Sequence, residues 1–184
     1  AQWMAQHALF EQMIMALMDC PVPVIAAING ASYAGGFEMT LGCDFVYASK
    51  TARFALTEVT LGIMPGACGT QNLPRAVGVR RAKEIILTGE PISAEQAYEY
   101  GIVNKLCDPE SLSEEALATA QKICDNAPIS IRQAKKSMGM SQNIDLKSGY
   151  MFELEAYNRM VTTEDRVEGI LAYNEKRKAQ FRGK

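Results

Sequence analysis

The chain has 184 residues, 48% of them hydrophobic and 22% charged, with a formal net charge of −2 and a pI of about 5.6. Those figures suit one well-cored domain, exclude a disordered chain, and leave no global basic field for nucleic acid. Five cysteines, Cys20, Cys43, Cys68, Cys107 and Cys124, are odd in number and never fall in CxxC spacing, which argues against a disulfide framework or a zinc site and for a reducing compartment.

The chain opens at Ala1 inside an amphipathic helical pattern, with Met4, Ala8, Phe10, Ile14, Leu17 and Met18 recurring near helical spacing. Pro21 and Pro23 break it and release a buried strand at about Val24 to Ile28. After the turn dipeptide Asn29-Gly30, Gly35 to Leu41 reads as a short helix, and Phe45 to Ala48 as a second apolar strand. Phe54 and Leu56 continue as an extended piece ending near Glu58. The run LGIMPGACGTQ then forms a Gly-rich loop entering a helix, with Pro65 and Gly66 fixing the turn. A helix follows near Val79 to Leu87, another from Ser93 through Tyr98 with the capping-box form S-x-x-Q, and a strand at Ile102 to Lys105. From Leu112 the pattern is almost entirely helical, interrupted by Pro128 and by Gly149. A mixed βα series ending in helices defines an α/β class with a helical extension, and the change of pattern puts one boundary near residue 127. No apolar run approaches the roughly 18 to 20 residues of a membrane span, and no basic-then-apolar leader pattern is present, so a soluble chain with no membrane partner is expected.

Two glutamates carry the chemistry. Glu38 follows Gly35 and Gly36 at a helix start, and Glu58 lies at a strand end. A helix start exposes unpaired backbone N–H groups, which with the helix dipole favour the negative charge a polarised carbonyl oxygen acquires. Gly35, lacking Cβ, allows a substrate close to such an N–H. The segment thus offers an oxyanion site beside two carboxylates, although Glu38 could merely favour the helix dipole and Glu58 could be a solvated residue. His7 is the only histidine. It is remote in sequence from both motifs and reads as a surface or packing residue, and without another histidine a serine or cysteine hydrolase triad is disfavoured. Met13, Met15, Met18, Met138 and Met140 read as core filler. The basic stretch Lys176, Arg177, Lys178, Arg182 and Lys184 is either a solvated tail or a local site for a phosphorylated ligand. No metal cluster or phosphate loop is apparent.

Four ordered segments, NGASYAGGFEMTLGCDF, ARFALTEVTLGIMPGACGTQ, LTGEPISAEQAYEYGIVNKL and TEDRVEGILAYNEKRKAQF, resemble the enoyl-CoA hydratase (crotonase) family almost from end to end of the chain. The resemblance implies a crotonase-like spiral of stacked ββα turns over residues 1–127, carrying the glutamates, and a C-terminal helical trimerisation region over 128–184. About a third of the family fold, including the loop supplying a second oxyanion N–H, has no counterpart here, so the spiral is expected to be partial, with its N-terminal turns missing. The resemblance implies catalysis by Glu38 and Glu58 acting on one water, Glu38 activating it and Glu58 protonating the α carbon. It further implies an oxyanion N–H at Gly35 and support of the water by Gly66, which could equally be a simple turn glycine. Tyr157, Tyr173 and Lys176 match positions that reach across a subunit boundary to the acyl pocket and the CoA adenine region, with helix-core packing as the other reading of the tyrosines. The implied activity is hydration of 2-trans-enoyl-CoA. Another acyl-CoA dehydratase or isomerase, or a shortened non-catalytic binding protein, are the alternatives. No metal and no cofactor are expected beyond the CoA of the substrate. The expected partners are the acyl-CoA thioester and further copies in a homotrimer or dimer of trimers, with no nucleic acid, in bacterial cytoplasm or the mitochondrial matrix.

Overall fold

The computed structural model describes residues 2–184, so the opening at Ala1 lies outside the described residues. Two compact units are formed: residues 1–20 with 24–117, and residues 21–23 with 118–184.

In the first unit, α1 (Gln2–Met18) leads to β1 (Ile25–Ile28), β2 (Ala31–Tyr33), α2 (Gly35–Gly42), β3 (Phe45–Ser49) and β4 (Arg53–Ala55). A 3-10 turn (Glu58–Leu61) precedes α3 (Gly69–Val77), α4 (Val79–Thr88), β5 (Ile92–Ser93), α5 (Ala94–Glu99) and β6 (Lys105–Cys107). Two three-stranded sheets result. One is parallel, in the order β1-β3-β6, with Ile25 opposite Phe45 and Tyr47 opposite Lys105. The other has order β2-β4-β5, with β2 and β4 parallel and β5 antiparallel. The core gathers Phe37, Phe54, Leu56, Leu73, Ile85, Ile92 and Val103. The Phe37 and Phe54 rings meet at 5.3 Å, which ties α2, the helix that carries Glu38, to β4, the strand that leads to Glu58. Gly42 lets α1 approach α2: a Cβ there would lie 3.0 Å from Ile14 Cδ1 and 3.3 Å from Leu17 Cδ2.

The expected capping box is present. Gln96 N–H donates to Ser93 Oγ at 3.2 Å, and Ser93 N–H donates to Gln96 Oε1 at 2.9 Å. The short strands β2 and β5 escaped the sequence reading, since three- and two-residue strands have too little periodicity to register. The strand expected over Ile102 to Lys105 is displaced to Lys105–Cys107. Ile102 and Val103 instead close α5, both donating N–H to Ala97 O at 2.9 and 3.1 Å after Gly101 turns at φ 82°. Their side chains still reach the core, which is why the run looked strand-like. The apolar face expected on α1 is buried only at Ile14. Met4, Phe10 and Met18 are exposed, as are Met13, Met15 and Met138, so these methionines are not core filler.

α6 (Leu112–Cys124) begins in the first unit and ends in the second, which continues with α7 (Pro128–Met140), α8 (Leu146–Val161) and α9 (Glu164–Asn174). Pro128 stands at the start of α7, where its missing N–H costs nothing. Gly149 does not interrupt the helices: it lies inside α8, its N–H donating to Asp145 O at 2.8 Å. The break falls before Asp145, whose carboxylate caps α8 by accepting from Lys147 N–H and Ser148 N–H, each at 3.1 Å. A strong cap outweighs the roughly 1 kcal/mol that one helical glycine costs.

Candidate active site

Glu38 sits in the first turn of α2, only 3% exposed. Its Oε1 accepts two backbone hydrogen bonds, from Ala67 N–H at 2.7 Å and Gly69 N–H at 2.8 Å. The loop is shaped to deliver them. Cys68, at φ 70°, turns the chain through the left-handed region between the two donors, and Gly69 opens α3. A non-glycine residue there costs about 1–2 kcal/mol, a strain typical of functional loops. Ala67 and Gly69 were not anticipated as functional residues; the signal was the small-residue run ACG entering a helix, whose first N–H groups lack intrahelical partners.

Glu58 begins the 3-10 turn and is 6% exposed. Its Oε2 is buried with no hydrogen-bond partner, among the described residues the only such side-chain atom. Burial pushes the Glu58 carboxyl above its ordinary value. Its own backbone N–H works against the shift, and the Glu38 charge adds to it. The two carboxylates therefore act on one another from unequal settings: Glu38 is a fixed acceptor for two N–H donors, and Glu58 is desolvated and favours its proton. An unequal pair suits one base and one acid.

Gly35 is the first residue of α2. Phe37 N–H and Glu38 N–H both turn back to Ala34 O, at 2.9 and 3.0 Å, so the Gly35 N–H precedes the intrahelical ladder. Ala34 holds an uncommon backbone conformation, φ 49° and ψ −127°, fixed by donation of its N–H to Ala55 O at 2.8 Å. Apart from its chain neighbours and the backbone of its own helix, no heavy atom lies within 4 Å of where a Cβ would project from Gly35 or Gly36. Glu38, Glu58, Gly35 and Gly66 thus belong to one unit, linked through α2, β4 and the loop before α3.

His7 is exposed, yet it is not remote in space. A Cβ on Gly66 would meet His7 Cε1 at 3.8 Å, ordinary van der Waals contact, so the imidazole stands beside the glycine loop. Sequence distance concealed this, and nothing in the pattern of α1 marked it.

Tyr157, Tyr173 and Lys176 lie in the second unit. Tyr157 and Tyr173 are 56% and 84% exposed, so they are not helix-core residues. Both line a mostly apolar hollow of about 410 Å³ with Ser130, Ile170 and Phe181. In the basic tail, Arg177 is committed to Glu168 and Glu175, and Lys178 to Asp125 at 2.6 Å. Among the described residues, no group of three or more His, Cys, Asp or Glu side chains is arranged to hold a metal ion. No described helix is long and apolar enough to cross a membrane.

A family model described as enoyl-CoA hydratase/isomerase matches residues 4–184. The chain is 44% identical over 160 residues to the mitochondrial enoyl-CoA hydratase of Pongo abelii, covering 87% of this chain and 55% of that protein. It is 42% identical over 162 residues to the 2,3-dehydroadipyl-CoA hydratase of Escherichia coli strain K12, covering 88% and 64%. A crystal structure of enoyl-CoA hydratase from Bacillus anthracis superposes with a TM-score of 0.97 at 43% identity, over 100% of this chain and 71% of that one. The chain belongs to the enoyl-CoA hydratase/isomerase family, and its α/β fold is crotonase-like. It spans 55% to 64% of the length of these two curated relatives.

Proposed function

We propose that the protein is a hydro-lyase adding water, reversibly and syn, across the C2–C3 double bond of a 2-trans-enoyl-CoA to give the 3-hydroxyacyl-CoA. The observation that carries this is the asymmetry of the glutamate pair: Glu38 Oε1 anchored by two N–H donors, Glu58 Oε2 buried and unpartnered. The thioester oxygen accepts the Gly35 N–H at the start of α2, which draws charge from C3. Glu38 takes a proton from a water supported by the Gly66 N–H, and the water oxygen bonds to C3. The charge moves into the enolate, Glu58 delivers its proton to C2 as the carbonyl reforms, and the proton taken up by Glu38 is passed through water to Glu58, which restores the starting pair. Both carboxylates are needed for this, and the enoyl-CoA isomerases commonly keep only the position matching Glu58, so the pair favours hydration.

No metal or redox cofactor takes part in this reaction, and coenzyme A enters only as part of the substrate. Tyr157 and Tyr173 contribute to an acyl pocket and Lys176 to the CoA adenine region, each across a subunit boundary. The functional form is a homotrimer or a dimer of trimers. Support comes from the exposed stripe Tyr150, Leu154, Tyr157 and Val161 on α8, which follows helical spacing and leaves an apolar face in need of a partner. The compartment is bacterial cytoplasm or the mitochondrial matrix.

The test is steady-state hydration of crotonyl-CoA by the purified protein, beside branched and carboxylated enoyl-CoAs and a 3-enoyl-CoA. Turnover of a 2-enoyl-CoA supports the proposal and ranks its substrates. Conversion of the 3-enoyl-CoA alone would make the protein an isomerase, and CoA binding without turnover would make it a binding protein.

A further inference from the structure

The last residues of the chain fold back along α9 through two carboxylates. Asp165, 3% exposed, accepts Arg182 N–H at 2.6 Å and Gly183 N–H at 2.8 Å on its two oxygens, and its own N–H donates to Lys184 O at 3.2 Å. One turn further on, Glu168 accepts the Arg177 guanidinium as a two-pronged fork, at 2.6 and 2.9 Å, and also the Gln180 N–H at 2.8 Å. Arg177 Nε donates to Glu175 Oε2 at 2.6 Å. The Phe181 ring closes over Gly169, with Cε1 3.4 Å from where a Cβ would stand.

Lys176 is the pivot of this fold-back. The helix ends with Lys176 N–H donating to Tyr173 O at 3.2 Å and Arg177 N–H to Ala172 O at 3.0 Å, with Lys176 at φ 55°. That pattern usually places glycine at the left-handed position. A lysine persists there only when its surroundings over-determine the conformation. Glu168 does so from the next residue, because the fork on Arg177 fixes the backbone immediately after Lys176. The same pairing neutralises Arg177, and Lys178 is neutralised by Asp125. Lys176, between them, is exposed.

We propose that Glu168, supported by Asp165, is a positioning residue for acyl-CoA binding: it holds Lys176 in the left-handed conformation that presents its ammonium to a phosphate of the ligand. The proposal rests on the assignment of Lys176 to CoA under the proposed function. Glu168 touches no ligand, and its effect passes through Arg177. A lysine meets phosphate as a point charge on a flexible stem, so a backbone fixed in advance lowers the ordering cost of binding.

A double-mutant cycle on the full chain tests this, with calorimetric titration of coenzyme A and crotonyl-CoA into wild type, Glu168→Gln, Lys176→Ala and the double variant. Glu168→Gln should weaken both ligands about 2- to 10-fold. It should raise KM for crotonyl-CoA with kcat unchanged, and it should have no further effect once Lys176 is alanine. Arg177→Lys, which keeps the charge and loses the fork, should reproduce the weakening and serves if Glu168→Gln fails to fold. Equal weakening by Glu168→Gln with Lys176 present and with alanine there, or unchanged affinity when Glu168→Gln is made with Lys176 in place, would overturn the proposal by making Glu168 a stability residue only. Wild-type affinity in Lys176→Ala would instead remove the assignment of Lys176 itself, and the positioning role with it.

Discussion

Glu38 and Gly69 are packed so closely that position 69 has no room for a side chain. The Gly69 N–H reaches Glu38 Oε1 at 2.8 Å, and a Cβ would stand 2.8 Å from that same oxygen, 3.0 Å from Glu38 Cγ and 3.0 Å from Pro65 Cβ. The glycine that anchors the carboxylate also defines where it can be.

Gly69→Ala should therefore displace Glu38 and lower kcat for hydration by about 100-fold, the scale expected when a reacting group is misplaced by an ångström. Gly139→Ala is the control, because nothing lies within 4 Å of its added Cβ. Gly89, which caps the C-terminal end of α4, would not serve as a control: it holds φ 66°, and a Cβ there would meet Thr60 Cγ2 at 2.9 Å. Comparable activity in Gly69→Ala and Gly139→Ala would dissociate Glu38 placement from the reaction.

Gly35→Pro removes the proposed oxyanion N–H at a helix position where proline is tolerated. The absorbance shift of a chromophoric enoyl-CoA analogue on binding should disappear. A shift of wild-type size in a folded variant would assign thioester polarisation elsewhere.

Burial raises the Glu58 carboxyl above 4.5, so its protonated form persists to higher pH in the folded chain than in the unfolded one. The hydration rate should fall as pH rises through that elevated value, when Glu58 loses the proton that the proposed mechanism has it donate. Stability follows the same sign: the folded state loses ground as pH rises from about 4.5 through the elevated value. Above that range Glu58→Gln should melt higher than wild type, and thermal melts across pH check it. A variant that melts lower at alkaline pH would contradict the desolvated carboxyl.

Glu168 shows the opposite sign. Arg177 first, then the Gln180 N–H, lower its carboxyl from 4.5 to about 2. The contribution of the clamp is complete above about pH 4.5 and is lost as pH falls towards 2. The melting difference between wild type and Glu168→Gln should be present at neutral pH and shrink over that acidic window. A difference that persists unchanged at pH 2 would rule out the ionised pair as its source.

Leu154→Asp places a charge in the exposed apolar stripe of α8. Sedimentation should show trimers or hexamers for the wild type and monomers for the variant. A monomeric wild type at micromolar concentration would remove the assembly proposal.

Much of the fold was legible because local chemistry decided it. Ser93 and Gln96 satisfy each other's backbone groups, and Pro128 opens a helix wherever the rest of the chain goes. Segments whose side chains suit one structure while their backbone takes another were not legible. Ile102 and Val103 have strand-like side chains, but Gly101 lets their N–H groups turn back to Ala97. At the candidate site the glutamates stood out by residue type and position. Their donors did not, because Ala67 and Gly69 act through backbone N–H groups that any sequence possesses. The approach of His7 to Gly66 depends on how α1 is packed, which its own pattern does not encode.

The most direct test of the account is the hydration of crotonyl-CoA by wild type, Glu38→Gln and Glu58→Gln, each checked for CoA binding and for an intact fold. Either exchange keeps the side-chain shape and removes proton transfer, so each variant should bind the thioester and lose about 100- to 10,000-fold in kcat. Wild-type turnover in Glu58→Gln would contradict the pairing of an anchored base with a buried acid on which the proposed mechanism depends.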